Sequence, residues 1–335
     1  MKSFTYLGLA LAAVSGLQLA EAQEAAKLKA YAALPGAGVT QVVMERGDEN
    51  GSFFYMQKGT DQLMSAKASS LKMFYIVTPA EMGNALRDYY GGEYDAARKE
   101  FAKIKKKYVS FAGLPGSPST MAGLHELTCA VRMLDVAAAK DLSGSIPGAS
   151  VLNGADAARV AAAQVFGMIN DQPDSFAATR DAVEAAMKTH GRNLDSESNG
   201  WLRYALARAA AAQVPAEQLQ GTIAEDKVKA ASVAVDFYCQ AVMSMHGAQK
   251  TLPADALNRA MTLLWAMPGV KDYAAKVTKP VDKLQWQKAP TDFRDAVAMA
   301  HYLKTMYPAP ASSPNALADE LDAYYFNAKK GAKKD

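Results

Sequence analysis

The chain has 335 residues, 50% of them hydrophobic and 21% charged, with a formal net charge of +3. That is ordinary globular composition, long enough for a sizeable core or a stacked array. The small positive surplus is not gathered into one block, so charge points to no nucleic-acid partner, and two cysteines exclude a disulfide-dense scaffold.

Residues 1–22 read as an export signal: Lys2, an apolar run from Tyr6 to Leu19, then Ala20-Glu21-Ala22. Cleavage is expected between Ala22 and Gln23. The apolar run is too short to span a bilayer comfortably, and no later run approaches that length, so the mature chain is expected to lack a transmembrane segment. Periplasmic or extracellular placement follows.

Residues 23–78 are expected to form a lead and a small antiparallel β unit. The lead, Gln23 to Ala33, is rich in alanine and lysine and predicts a short helix or a disordered segment. Three β-branched or aromatic runs follow, at 39–44, 52–57 and 71–77. The polar turn between the first two holds Arg46-Gly47-Asp48, a match to an adhesion tripeptide that is also ordinary turn chemistry. A unit this small needs support from the first helices.

Residues 79–142 predict helices. Met82, Ala85, Leu86 and Tyr89 form one apolar stripe, and Tyr94, Ala97, Phe101, Ile104 and Tyr108 form another. Gly91-Gly92 between them permits a tight reversal. After a Gly/Pro-rich loop, Ser119 or Thr120 is expected to cap a helix that runs to about Lys140. The set Gly92, Tyr94, Ala97 and Phe101 resembles the turn and second helix of a tetratricopeptide repeat. The order of β unit, helix hairpin, Gly-Leu-Pro-Gly loop and long helix is similar to exported bacterial repeat proteins.

Residues 150–328 are alanine-rich and helical in period, with expected helices at 154–170, 173–190, 197–213, 224–247, 253–267, 270–284, 290–307 and 314–328. Trp201, Ala205 and Ala209 resemble a first repeat helix. Phe293, Ala296, Ala300, Leu303 and Pro308 resemble a second. A glycine turn is missing from the middle, so period alone leaves a superhelix and a compact bundle both open. Residues 329–335 form a basic tail, read as a solvated end. The expected fold class is mainly α: a helix-pair array with a small N-terminal antiparallel β unit.

Chemistry has little purchase. No G-x-S-x-G, H-E-x-x-H or phosphate-binding glycine loop is present, and no cofactor is implied. His125 and Cys129 lie at i, i+4 and Cys239 and His246 at i, i+7, so two adjacent helices would bring a zinc tetrad together. Cysteine on an apolar stripe, as with Val235, Cys239 and Val242, reads more simply as core. The resemblance implies a non-enzymatic scaffold that binds a protein or peptide partner on a concave face. It places Asn84, Arg87 and Asp88 on that face, with Gly92, Tyr94, Ala97 and Phe101 as packing residues. A carbohydrate-binding protein or hydrolase with a site between helices is the alternative, and a structural envelope component a third.

Overall fold

The computed structural model describes residues 26–56, 62–308 and 315–325. The expected cleavage pair Ala22 and Gln23 and the basic tail 329–335 lie outside them. The fold is mainly helical, with a small N-terminal antiparallel sheet.

Five strands, β1 (Leu28–Leu34), β2 (Gly38–Gly47), β3 (Ser52–Met56), β4 (Leu63–Lys67) and β5 (Phe74–Ile76), pair in the order β4-β3-β2-β1-β5. The expected helical or disordered lead is therefore wrong over its second half. β1 lies inside the sheet, paired from Leu28↔Met44 to Leu34↔Gly38 on one side and with β5 on the other. Its alanine and lysine content favours a helix, but its period is two: Leu28, Ala30 and Ala32 are buried while Lys29 and Tyr31 face out. Pairing on both edges satisfies its backbone and decides the outcome. The tripeptide is likewise no free loop. Arg46 and Gly47 belong to β2, with the Arg46 guanidinium 4.5 Å from the Phe54 ring centroid. Only Asp48 enters the turn, where its Oδ1 accepts from the Asn50 and Ser52 amides at 2.9 and 2.8 Å.

Helices α1 (Ala80–Gly91) and α2 (Tyr94–Lys107) form a hairpin, reversed at Gly92 with φ +87°. A side chain there would be strained, which is why glycine holds the turn. Met82, Ala85 and Tyr89 of α1 and Ala97, Phe101 and Ile104 of α2 are buried, and they share one core with the inner face of the sheet. The sheet thus gains the support its size requires.

Helix α3 (Pro118–Arg132) is capped by Ser117, not by Ser119 or Thr120. Pro118 occupies the first helical position, where a missing N–H costs nothing. Nor does the helix run to Lys140. It stops at Met133, Leu134 takes φ +60°, and Asp135 caps a separate α4 (Val136–Ser143) by accepting from the Ala138 amide at 3.0 Å. Almost all of α3 is buried because both its faces are used. Ala122 and Cys129 belong to the first core, while Leu124, Leu127 and Val131 belong to a second core that fills the rest of the molecule.

The second core is built by α5 (Gly154–Phe166), α6 (Ser175–His190), α7 (Ser196–Ala211), α8 (Ala216–Gln220), α9 (Glu225–Met245), α10 (Thr251–Trp265), α11 (Val270–Ala274), α12 (Lys283–Lys288), α13 (Thr291–Met306) and α14 (Ala316–Asp322). The long helices pack in chain order: α5 on α3 and α4, α7 on α5 and α6, then α9, α10, α13 and α14 each on the one before. Small residues allow the close approach of α7 and α9. At Gly200 an added Cβ would lie 2.2 Å from Met245 Cγ. The expected helix 270–284 is instead two short ones, because Pro280 cannot donate to an upstream carbonyl and Asp282 starts α12 with a capping box to Gln285. Among the described residues no helix is long and apolar enough to cross a membrane.

Candidate functional site

Two places concentrate the polar and exposed apolar groups that a site would need. The first is the junction of α1, α3, α5 and α7. Arg132, at the end of α3, donates from Nε and Nη2 to the two carboxylate oxygens of Glu197 on α7, both at 2.8 Å. Its guanidinium lies 4.5 Å from the Tyr89 ring centroid and 5.3 Å from that of Tyr94. Arg132 is 9% exposed and Glu197 7%. Such a pair is neutral as a unit, and its planar fork suits a carboxylate better than lysine would. Gln249 Nε2 donates to Glu197 Oε1 at 3.4 Å, and Arg159 of α5 pairs with Asp195, the cap of α7.

His125 belongs to the same region. Its ring stacks on Phe101 with centroids 5.0 Å apart and meets Tyr89 edge-on at 5.3 Å. Its Nδ1 is buried without a hydrogen-bond partner among the described residues. Burial first, and then the fields of Arg159 and Arg132, hold its pKa down at about 4, so the ring is neutral near pH 7. Cys129 beside it is fully buried, and burial pushes its thiol up to about 12. A protonated thiol and a neutral imidazole enclosed by aromatic rings make no nucleophile pair. The junction joins the sheet-and-hairpin unit to the rest of the stack.

A second, partly exposed polar cluster ties α7 to α10. Tyr204 donates to Asp255, which also accepts from Arg259 Nε at 2.6 Å, and Arg208 holds Asp171 in a bidentate pair. Asp171 is a non-glycine residue with φ +53°, and the fork of Arg208 helps hold it there. These charges also close on one another.

The second place is a groove beside α10. Helices α9 and α13 both pack on α10. Between them runs a cavity of about 480 Å³ lined by Cys239, Val242, Met243 and His246 near the end of α9, Leu257 of α10 and Tyr302 of α13. Tyr302 Oη lies 3.1 Å from His246 Nδ1. Met243 is 75% exposed, a large apolar side chain held out over the opening. Burial first, and then the fields of Asp236 on α9 and Asp295 on α13, raise the Cys239 thiol. Two larger cavities lie elsewhere: one of about 870 Å³ along the sheet, lined by Val42, Tyr55, Met64 and Ala66 with Lys67 as its one charged lining residue, and one of about 670 Å³ lined by Val136, Lys140, Met168 and Ile169 where α4 meets the end of α5.

The residues singled out by sequence fall as follows. Asn84 and Arg87 are exposed on α1 and bond to each other, while Asp88 is half-buried and its carbonyl accepts from the amides of the Gly92 turn. Ala97 and Phe101 are fully buried, Tyr94 is half-buried against Arg132, and Gly92 makes the turn. The zinc tetrad is not brought together. His125 and Cys129 pack on the α1–α2 side of α3, whereas Cys239 and His246 line the groove beside α13. Both cysteines are free, and among the described residues no three His, Cys, Asp or Glu side chains are placed to hold a metal. The Arg132–Glu197 pair went unforeseen, since its partners are 65 positions apart in the chain with no local signal. The groove had a partial one: Cys239, Val242 and His246 share a face at helical spacing. No family model matches the chain, and no curated protein or solved structure matches it.

Proposed function

We propose that the chain is a non-enzymatic, exported, tetratricopeptide-like scaffold that binds a segment of a protein partner in the groove between α9 and α13. The observation that carries this reading is Met243. A thioether that adapts to many shapes stands exposed over an apolar trough in which Cys239, Val242 and His246 repeat every one or two helical turns. That spacing is what an inserted segment with side chains at i, i+3 and i+7 would meet. The closed ion pairs at the α3–α7 junction support the same reading, because they serve packing between helices, whereas the groove keeps an exposed apolar side chain at its opening. The face of α1 that carries Asn84, Arg87 and Asp88 is the second candidate surface, from the likeness of that hairpin to a repeat.

Affinity capture from envelope extract tests this. The bait is residues 23–335, compared with Met243→Asp and with Asn84, Arg87 and Asp88 changed together to alanine, each checked for native circular dichroism. A partner held by the parent and the α1 variant and lost by Met243→Asp is the expected result. A partner indifferent to Met243→Asp and lost by the α1 variant moves the interface to the hairpin. No partner with any bait overturns the scaffold reading.

A further inference from the structure

The groove has a direction. His246, just past the end of α9, meets Tyr302 in the last third of α13, close to where α10 begins. α10 turns back from that point and packs along both helices, so α9 and α13 run the same way past the opening. Asp236, one turn before Cys239 on α9, and Asp292 and Asp295, about three and two turns before Tyr302 on α13, therefore lie towards the end where both helices begin their run along the groove. His246 and Tyr302 close the other end, and Cys239, Val242, Met243 and Leu257 lie between. From Asp236 to His246 is about 15 Å at the helical rise per residue.

Asp236, Asp292 and Asp295 make no ion pair among the described residues, in contrast to Asp135, Asp171, Asp195, Asp255 and Asp322, which all do. Burial and then the charge of Asp292 hold the carboxyl of Asp295 above its usual range, and Arg294 acts against this through its field. Two neighbouring carboxylates with no paired cation, beside an exposed apolar trough, form one half of a complementary surface.

We propose that the partner segment is a basic amphipathic one: lysine or arginine at one end, against Asp236, Asp292 and Asp295, and two turns of apolar side chains along Cys239, Met243 and Leu257 to Tyr302. The proposal rests on the groove being the partner face and specifies the chemistry that fills it. Attraction at the acidic end sets the orientation of the segment, and the apolar body supplies most of the affinity.

Cys239 offers the readout. It is partly exposed in the groove, whereas Cys129 is fully buried, so a thiol reagent applied to the native protein reports on the groove alone. Three synthetic peptides of identical apolar pattern are compared, bearing lysines, glutamates or serines at one end. Their binding is followed by fluorescence anisotropy and by the rate of Cys239 alkylation. The lysine peptide is expected to bind roughly tenfold more tightly than the glutamate one, from two or three exposed charge pairs. It is also expected to slow Cys239 alkylation, and to lose its advantage in Asp236→Asn/Asp295→Asn or at high salt. Equal binding of lysine and glutamate peptides overturns the charge assignment while leaving the groove as an apolar site. Failure of all three to protect Cys239 overturns the proposal. The partner capture described above then stands as the independent check on the groove itself, because it depends on Met243 and not on the charge of any peptide.

Discussion

The α3–α7 junction and the α9–α13 groove handle the same kinds of side chain in opposite ways. At the junction Arg132 is enclosed by Glu197, Tyr89 and Tyr94, so charge, aromatic faces and burial all close on one another. At the groove Met243 and Tyr302 face an opening, and Asp236 and Asp295 stand near a thiol without a cation to pair with. A buried charge survives only when its partner arrives with the fold, whereas a surface that waits for a partner leaves its complement outside. The most charged cluster holds the molecule together, and under the function proposed above the plainer, apolar one is where a partner binds.

If that contrast is right, its sharpest test lies at the junction. Arg132→Ala leaves Glu197 buried without a cation and uncovers the rings of Tyr89 and Tyr94. A loss of about 3–5 kcal/mol is expected in urea unfolding. The double variant Arg132→Met/Glu197→Leu should recover most of it, since no charge is then stranded. A single-variant loss below about 1 kcal/mol would mean that the pair is surface-like.

Acid should find the junction next. His125 is held neutral in the folded chain, with a pKa of about 4 against 6.5 when unperturbed. As pH falls through 6.5 the unfolded chain takes up the proton first. His125 therefore costs no stability above that pH, and stability declines progressively towards pH 4, by on the order of 3 kcal/mol. Urea midpoints measured from pH 7.5 to 4 should show this slope in the parent and a shallower one in His125→Phe, which keeps the stack on Phe101.

A smaller effect is expected where α7 meets α9. Gly200→Ala places a methyl group against Cγ of the fully buried Met245, so the side chain must shift, at a cost of about 1–3 kcal/mol. Thermal unfolding measures it. The groove should be the least sensitive to stability of all. Met243→Ala should shift unfolding by less than about 0.5 kcal/mol and yet weaken partner capture. A stability loss as large as that of a core methionine would place Met243 in the packing instead.

Much of the architecture is legible in the sequence where one period dominates. The α1–α2 hairpin declares itself through its stripes and Gly92, and the ends of α6 and α10 fall close to the expected positions. Where two signals compete, composition misleads. β1 carries helix-forming residues in a strand-like alternation, and only its two sheet neighbours decide between them. The stop in α3 depends on Leu134 accepting a positive φ, which no residue type announces. Pro280 did announce a break inside the expected helix 270–284. The candidate site was half visible: the spacing of Cys239, Val242 and His246 is local to α9, but Leu257 and Tyr302 reach the groove only through the packing of α10 and α13. Long-range pairs such as Arg132–Glu197 leave no trace in one dimension.

Site-specific photocrosslinking compares the two candidate surfaces directly. A benzophenone side chain is placed at position 243 or, as the reference, at position 90, since Met243 on α9 and Tyr90 on α1 are 75% and 78% exposed. Illumination in envelope extract should give a discrete protein adduct from position 243 and none from position 90. Adducts from position 90 alone, or the same diffuse pattern from both, would contradict the groove as the partner face.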